Sequence, residues 1–238
     1  MTVLLLRLAG PMQAWGDSSR FNRRDTRGVP TKSGVLGLLA AADGRRRTDP
    51  IEDLAGLRFG VRVDQPGQLQ RDFQVAVNTD TGHSMPLSYR YYLADAVFLA
   101  GVEGNSSLLE ALAQRLTNPR FPLYLGRRSC PVAGEIFRGL TDESLEVTLR
   151  REEWLAARWY RRSQRQTVEL DLYVDAVGTN ETNYPVETRR DVPISFSPVR
   201  REYGWREVAH LPPVVKENPD GRRPRQSGVD WLSAAEEA

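Results

Sequence analysis

The start of the chain places the strongest limit on its fold. Val3, Leu4, Leu5, Leu6 and Leu8 form an apolar run broken only by Arg7 and closed by Gly10-Pro11. Such a run reads as a buried strand, and it is far shorter than a signal peptide or membrane span requires. A helix follows. Pro30-Thr31-Lys32-Ser33 precedes Val35, Leu36, Leu38, Leu39, Ala40 and Ala41, with Thr31 or Ser33 as N-cap and Gly44 as the stop. Alternation predicts strands over 57–63 and 73–77, while 78–90 carry no period and read as a projecting excursion. A strong strand is expected over 91–100, an amphipathic helix over 106–116, and a further strand around 121–125.

Strand, helix, strand, strand, excursion, strand, helix, strand is an α+β order. It suggests a ferredoxin-like (RRM-like) palm over residues 1–134 with an inserted arm. Beyond 134 the pattern changes: a strand over 146–150, a short helix over 152–165, and a cleanly alternating strand over 168–175. Prolines at 185, 193 and 198 follow. Residues 135–216 therefore read as a smaller, mostly β C-terminal appendage and 217–238 as a mobile tail.

Composition matters through its placement of charge. Of 33 basic residues only Lys32 and Lys216 are lysine, and a GC-rich genome alone would favour that bias. Residues 1–216 carry 30 bases against 26 acids and the rest three against five, so the body of the chain is mildly basic. One cysteine, Cys130, excludes an internal disulfide and fits a reducing cytoplasm. With only His83 and His210 besides, neither a zinc site nor any other metal or cofactor site is expected.

Two polar, glycine-bearing turns point to RNA. Tyr124-Leu-Gly126-Arg127-Arg128-Ser129-Cys130-Pro131 sets two guanidinium forks and a hydroxyl beside an aromatic that can stack on a splayed-out base. Gly10 to Gly16 adds Gln13 and Trp15, and the loop after it carries Arg20, Arg23, Arg24 and Arg27, which could track a phosphate backbone. At Thr31-Lys32-Ser33 a helix N-terminus could hold a phosphate, although the spacing is not that of a nucleotide-hydrolysing P-loop. On the excursion, His83, Met85, Tyr89 and Arg90 could wedge between bases or pack on a neighbouring subunit. Arg158, Arg161, Arg162 and Arg165, with Trp154 and Trp159, suit RNA and protein contact equally. No catalytic set is evident, since neither histidine lies near Cys130 in sequence.

Three blocks together, 4–16, 30–39 and 124–131, closely resemble the CasD family of the type I-E CRISPR Cascade complex, within the repeat-associated mysterious protein superfamily. The resemblance covers roughly the first 135 residues. It implies a ferredoxin-like palm with a thumb at about 71–92 that inserts between guide and target DNA. It implies binding of the 5′ handle of the CRISPR RNA, capping of a filament of CasC subunits, and contact with the large CasA subunit. Gln13, Trp15, Gly16, Arg24, Arg27, Thr31, Lys32, Ser33, Tyr124, Gly126, Arg127, Arg128 and Ser129 would form the RNA site. Some relatives cleave precursor RNA themselves, but the type I-E subunit does not. A non-catalytic, cytoplasmic role is the leading expectation, with a metal-independent endoribonuclease of repeat RNA as the alternative.

Overall fold

A computed structural model describes residues 1–16, 23–176 and 184–222. In chain order the elements are β1 (Thr2–Ala9), β2 (Met12–Gln13), β3 (Arg23–Arg24), α1 (Lys32–Asp43), α2 (Glu52–Ala55), β4 (Arg58–Gln65), β5 (Gln68–Gln74) and β6 (Ser88–Ala94). There follow β7 (Val97–Gly104), α3 (Ser106–Thr117), β8 (Phe137–Thr141), α4 (Leu145–Arg151), α5 (Arg158–Ser163), β9 (Thr167–Asp175), β10 (Val186–Ser195) and β11 (Glu202–Glu217). The class is mixed α+β.

One seven-stranded sheet runs β10-β11-β9-β4-β7-β1-β8, every neighbouring pair antiparallel. The apolar run of β1 explains its interior position, between β7 and the edge strand β8. Leu4, Leu6 and Leu8 face a cluster with Val35, Leu36 and Leu39 of α1 and Leu109, Leu112 and Leu116 of α3. Val3 and Leu5 face the other way, against Leu145 and Leu149 of α4. A strand apolar at successive positions is stable only when both faces are covered. No helix among the described residues is long and apolar enough to cross a membrane.

The arm is a second, small sheet. β5 and β6 pair along their length, from Gln68 opposite Ala94 to Gln74 opposite Ser88. The far edge of β6 takes β2 at Leu93–Ala94 and β3 at Tyr89–Arg90. The arm thus begins three residues before the expected 71 and includes Ala94.

Several sequence expectations change for identifiable reasons. No break in the sheet falls at residue 134: β8 pairs with β1, and β9 pairs with β4 from Gly60 opposite Val174. Residues 145–151 are helical, because Leu145 and Leu149, four apart, bury one helix face. The helix expected over 152–165 shrinks to 158–163. Before it, buried Arg62 donates to the carbonyls of Leu149, Glu152 and Glu153, and Asp64 accepts the Leu155 N–H, so these backbone groups have partners without a helix. The strand over 91–100 divides at Asp95, whose φ is 55°. Around 121–125 only a single bridge forms, Tyr124 with Pro131. Of the expected tail, Glu217 ends β11 and Asn218 is buried with its amide donating to the Arg161 and Arg165 carbonyls, while 223–238 lie outside the described residues.

The entrance of α1 is closed from within the fold. Asp191 of β10 accepts the Lys32 backbone N–H at 2.8 Å and two hydrogen bonds from Arg206 at 2.6 and 2.9 Å. Lys32 Nζ donates to Asp175 at 2.9 Å, and Arg206 also reaches Asp175. Burial pushes the Asp191 carboxyl up, but the Arg206 guanidinium and the Lys32 N–H outweigh it and hold it below the usual range. A carboxylate held low contributes stability above the unfolded-state value near pH 4 and loses it as the pH falls. Asp191→Ala leaves Arg206 with Asp175 alone and orphans a buried helix N–H, so thermal or urea unfolding is expected to show a loss of about 3 kcal/mol at pH 7. That loss should shrink below about pH 4. An equal loss at pH 7 and pH 3 would contradict the assignment.

Candidate nucleic-acid interface

The loop over 10–16 and the turn over 124–131 pack on one another. Ala14 N–H donates to Leu125 O at 3.0 Å, and Ala133 N–H donates to Ala9 O at 2.8 Å. Gly126 sits at φ 89°, and a Cβ there would overlap the Ala14 carbonyl, so both the backbone conformation and the close approach require glycine. Trp15 brings in the third block. Its ring is fully buried and lies 2.8 Å from where a Cβ on Gly34 would stand. All three blocks converge.

They converge largely through inward-facing groups. Gln13 is fully buried: its amide donates to Leu8 O and Ala96 O, and its carbonyl accepts the Trp15 indole N–H at 3.0 Å. Thr31, Lys32 and Ser33 are buried, with Thr31 Oγ1 accepting the Gly34 N–H and Lys32 held by Asp175 and Asp191. Base reading by Gln13, stacking on Trp15 and phosphate capture at 31–33 therefore do not fit the geometry. An apolar or polar side chain already enclosed and partnered presents nothing to a strand of RNA.

The two arginines of the turn take opposite roles. Arg127 points in, donating to Tyr91 O at 3.0 Å, Arg24 O at 2.8 Å and Asp25 O at 3.2 Å, with its guanidinium 4.7 Å from the Tyr92 ring centre. It ties the turn to β6 and to the segment after β3. Arg128 is exposed, and its side chain has no hydrogen bond or ion pair among the described residues. Gly126 and Ser129 are exposed beside it, Tyr124 is half-buried, and Cys130 is buried, which pushes its thiol up and leaves it inert.

On the neighbouring rim, β3 lays Arg23 and Arg24 parallel to Tyr89 and Arg90 of β6. Arg24 is exposed with no side-chain partner among the described residues. Arg27, also exposed, closes the loop by donating its N–H to Trp15 O at 2.8 Å, and Gly16 is exposed next to it. The arm adds aromatic rings under guanidiniums: Arg23 lies 5.3 Å from the Tyr91 ring centre and Arg71 lies 5.8 Å from that of Tyr89. Asp25 pairs with Arg23 and raises its pKa. Arg90 Nε is buried without a hydrogen-bond partner. At the tip, His83 and Met85 are exposed.

Arg23, one of the loop arginines that could track a phosphate backbone, joins this surface, and so do Arg71, Tyr91, Leu69 and Phe73, which the sequence reading did not single out. The signal was present as a period of two. Leu69, Arg71 and Phe73 alternate on β5, opposite Leu93, Tyr91 and Tyr89 of β6. The other histidine, His210, stacks on Tyr173 at 4.6 Å and lies 3.4 Å from Asp171, a cluster in the main sheet apart from the arm. Among the described residues no group of three or more His, Cys, Asp or Glu is placed to hold a metal ion.

Comparisons with known proteins agree along most of the chain. The family described as CRISPR-associated protein (Cas_Cas5) matches residues 3–209. The CRISPR system Cascade subunit CasD of Escherichia coli (strain K12) is 35% identical over 163 residues, 59% of this chain and 72% of that protein. A solved structure described as a CRISPR RNA-guided surveillance complex contains a chain 32% identical, with a TM-score of 0.70 over 99% of this chain and 100% of that one. A crystal structure of a Cas protein matches at 37% identity and a TM-score of 0.68, covering 93% and 98%.

The packing of the turn gives a direct check. Gly126→Ala forces a left-handed conformation on a residue with a Cβ and drives it into the Ala14 carbonyl. Thermal melts should show a loss of about 2 kcal/mol or more. The same substitution at exposed Gly28, where a Cβ meets nothing within 4 Å, should cost far less.

Proposed function

The chain belongs to the Cas5/CasD family of CRISPR-associated proteins, and on that premise we propose that it is a non-catalytic CRISPR RNA-binding subunit of a Cascade surveillance complex. It holds the 5′ handle of the guide RNA and caps the filament of CasC backbone subunits, in contact with the large CasA subunit. The order β8-β1-β7-β4, with α1 and α3 as the helices between strands, supports a ferredoxin-like palm. β5 and β6 supply the thumb.

One observation carries the reading: at the root of the arm, exposed Arg24, Arg128 and Ser129 lie beside the arginine–tyrosine pairs Arg23–Tyr91 and Arg71–Tyr89. Guanidinium forks position a phosphate backbone, while aromatic rings stack unpaired bases. Gln13, Trp15, Thr31, Lys32, Ser33 and Arg127 act behind this surface as its frame. The exposed Leu69, Phe73, Val75, Val77, Met85 and Leu87 suit an arm that inserts into an assembly and reaches guide and target strands.

Salt dependence separates direct contact from framing. Each phosphate released from a single strand changes the slope of log K against log salt by about 0.7. Arg24→Ala with Arg128→Ala should weaken binding of repeat-derived handle RNA and flatten that slope by about 1.4. Arg127→Ala should weaken binding with the slope unchanged, because its guanidinium holds carbonyls. An unchanged affinity and slope in the Arg24/Arg128 double variant would contradict the assignment. A chelator-resistant, unique cut in repeat RNA by the purified wild-type chain would favour the endoribonuclease instead.

A further inference from the structure

Helix α5 is not used by the handle site, yet it stands at the same arm. Gln65, at the end of β4, joins them: its carbonyl accepts the Ala157 N–H at 3.1 Å just before α5, and its amide donates to the Asp95 carbonyl at the end of β6. β5 starts three residues after Gln65 and β6 ends just before Asp95, so the start of α5 lies at the arm root. The Arg24–Arg128 surface lies on the β3 side, across β6.

The exposed residues of α5 are unusual for a surface that faces only water. Trp159 is 59% exposed, its ring held edge-on against Tyr160 at 5.8 Å, and Tyr160 is held in turn against Trp154 at 6.3 Å. The indole thus rests against a neighbouring ring while more than half of it stays open to solvent. Arg158 and Arg162, four residues apart on the helix, are exposed and have no hydrogen-bonding or ionic partner for their side chains among the described residues. The helix ends at Ser163, and Arg165 beyond it pairs backbone to backbone with Arg222, which adds two more exposed guanidiniums. Against these stands Asp220, 3.8 Å from Arg161, whose Nε is buried without a hydrogen-bond partner.

We propose that Arg158, Trp159 and Arg162 form a second site for single-stranded nucleic acid, at the arm root and on a different element from the Arg24–Arg128 surface. An exposed indole stacks an unpaired base of any identity, and free arginines beside it neutralise the flanking phosphates. The occupant is a single strand rather than a duplex, because a paired base presents no free face to the indole. Excess cation over carboxylate around Trp159 disfavours a basic protein segment in the same place.

The test uses the full chain with 20-nucleotide fluorescent oligo(U) and oligo(dT), neither carrying handle sequence, read by anisotropy across a salt series. The wild type should bind. The triple variant Arg158→Ala, Trp159→Ala, Arg162→Ala should lose about tenfold in affinity and flatten the salt slope by about 1.4. Trp159→Phe, which keeps a ring, should retain most of the binding, whereas Trp159→Ala alone should not. In an Arg24/Arg128 double-variant background the Arg158, Trp159 and Arg162 substitutions should cost about the same further tenfold, which keeps this site separate from the handle reading. Stronger binding of oligo(U) would assign the site to guide RNA, and stronger binding of oligo(dT) to a DNA strand. No binding by the wild type, or equal binding by the triple variant, overturns the proposal. A triple variant that binds both probes normally but no longer joins its partner subunits also overturns it, in favour of a protein contact.

Discussion

The structure depends on a carboxylate that closes a helix from the far end of the chain. Asp191, on the edge strand β10, caps the first turn of α1 and is itself fixed by Arg206, while Asp175 of β9 holds Lys32 and accepts the Phe59 N–H at 3.0 Å. Four charges removed from water are tolerable only because each has an opposite partner. The network joins the first helix to the last three strands and makes one body of what reads, along the sequence, as a palm and an appendage. It also removes the helix entrance from the list of places where an RNA phosphate could sit.

That closure explains where the exposed cation has to be. With Lys32 internal and Arg127 holding three main-chain carbonyls, the positive charge left to solvent near the turn is on Arg24 and Arg128. The buried residues still govern the surface. Trp15 packs on α1 at Gly34, the loop it belongs to packs on Gly126, and Arg127 fixes the spacing between the turn, β3 and β6. Contact and support are adjacent in sequence and separated in space, as Arg127 and Arg128 illustrate.

Much of this was legible in the residues, and the losses have physical causes. The apolar run of β1, the capped start of α1 and the leucine spacing of α3 depend on local pattern and appear where expected. The convergence of blocks 10–16 and 124–131 was anticipated from their shared oddness. Which way each side chain points was not, because that is decided by partners distant in sequence: Asp175 for Lys32, Ala96 for Gln13, Tyr91 and Arg24 for Arg127. Helix α4 was missed because seven residues carry too little period to separate helix from strand. The arginine–tyrosine pairs on the arm become visible only when β5 and β6 are set in register.

The central claim is that nucleic acid meets the rim formed by the turn, β3 and β6, and not the buried faces that hold the rim together. Photocrosslinking of the chain to repeat-derived handle RNA, with crosslinked peptides identified by mass spectrometry, tests it most directly. The account predicts adducts within 23–27, 88–92 and 126–129. Adducts on Trp15 or within 31–33, with none on those three segments, would contradict it.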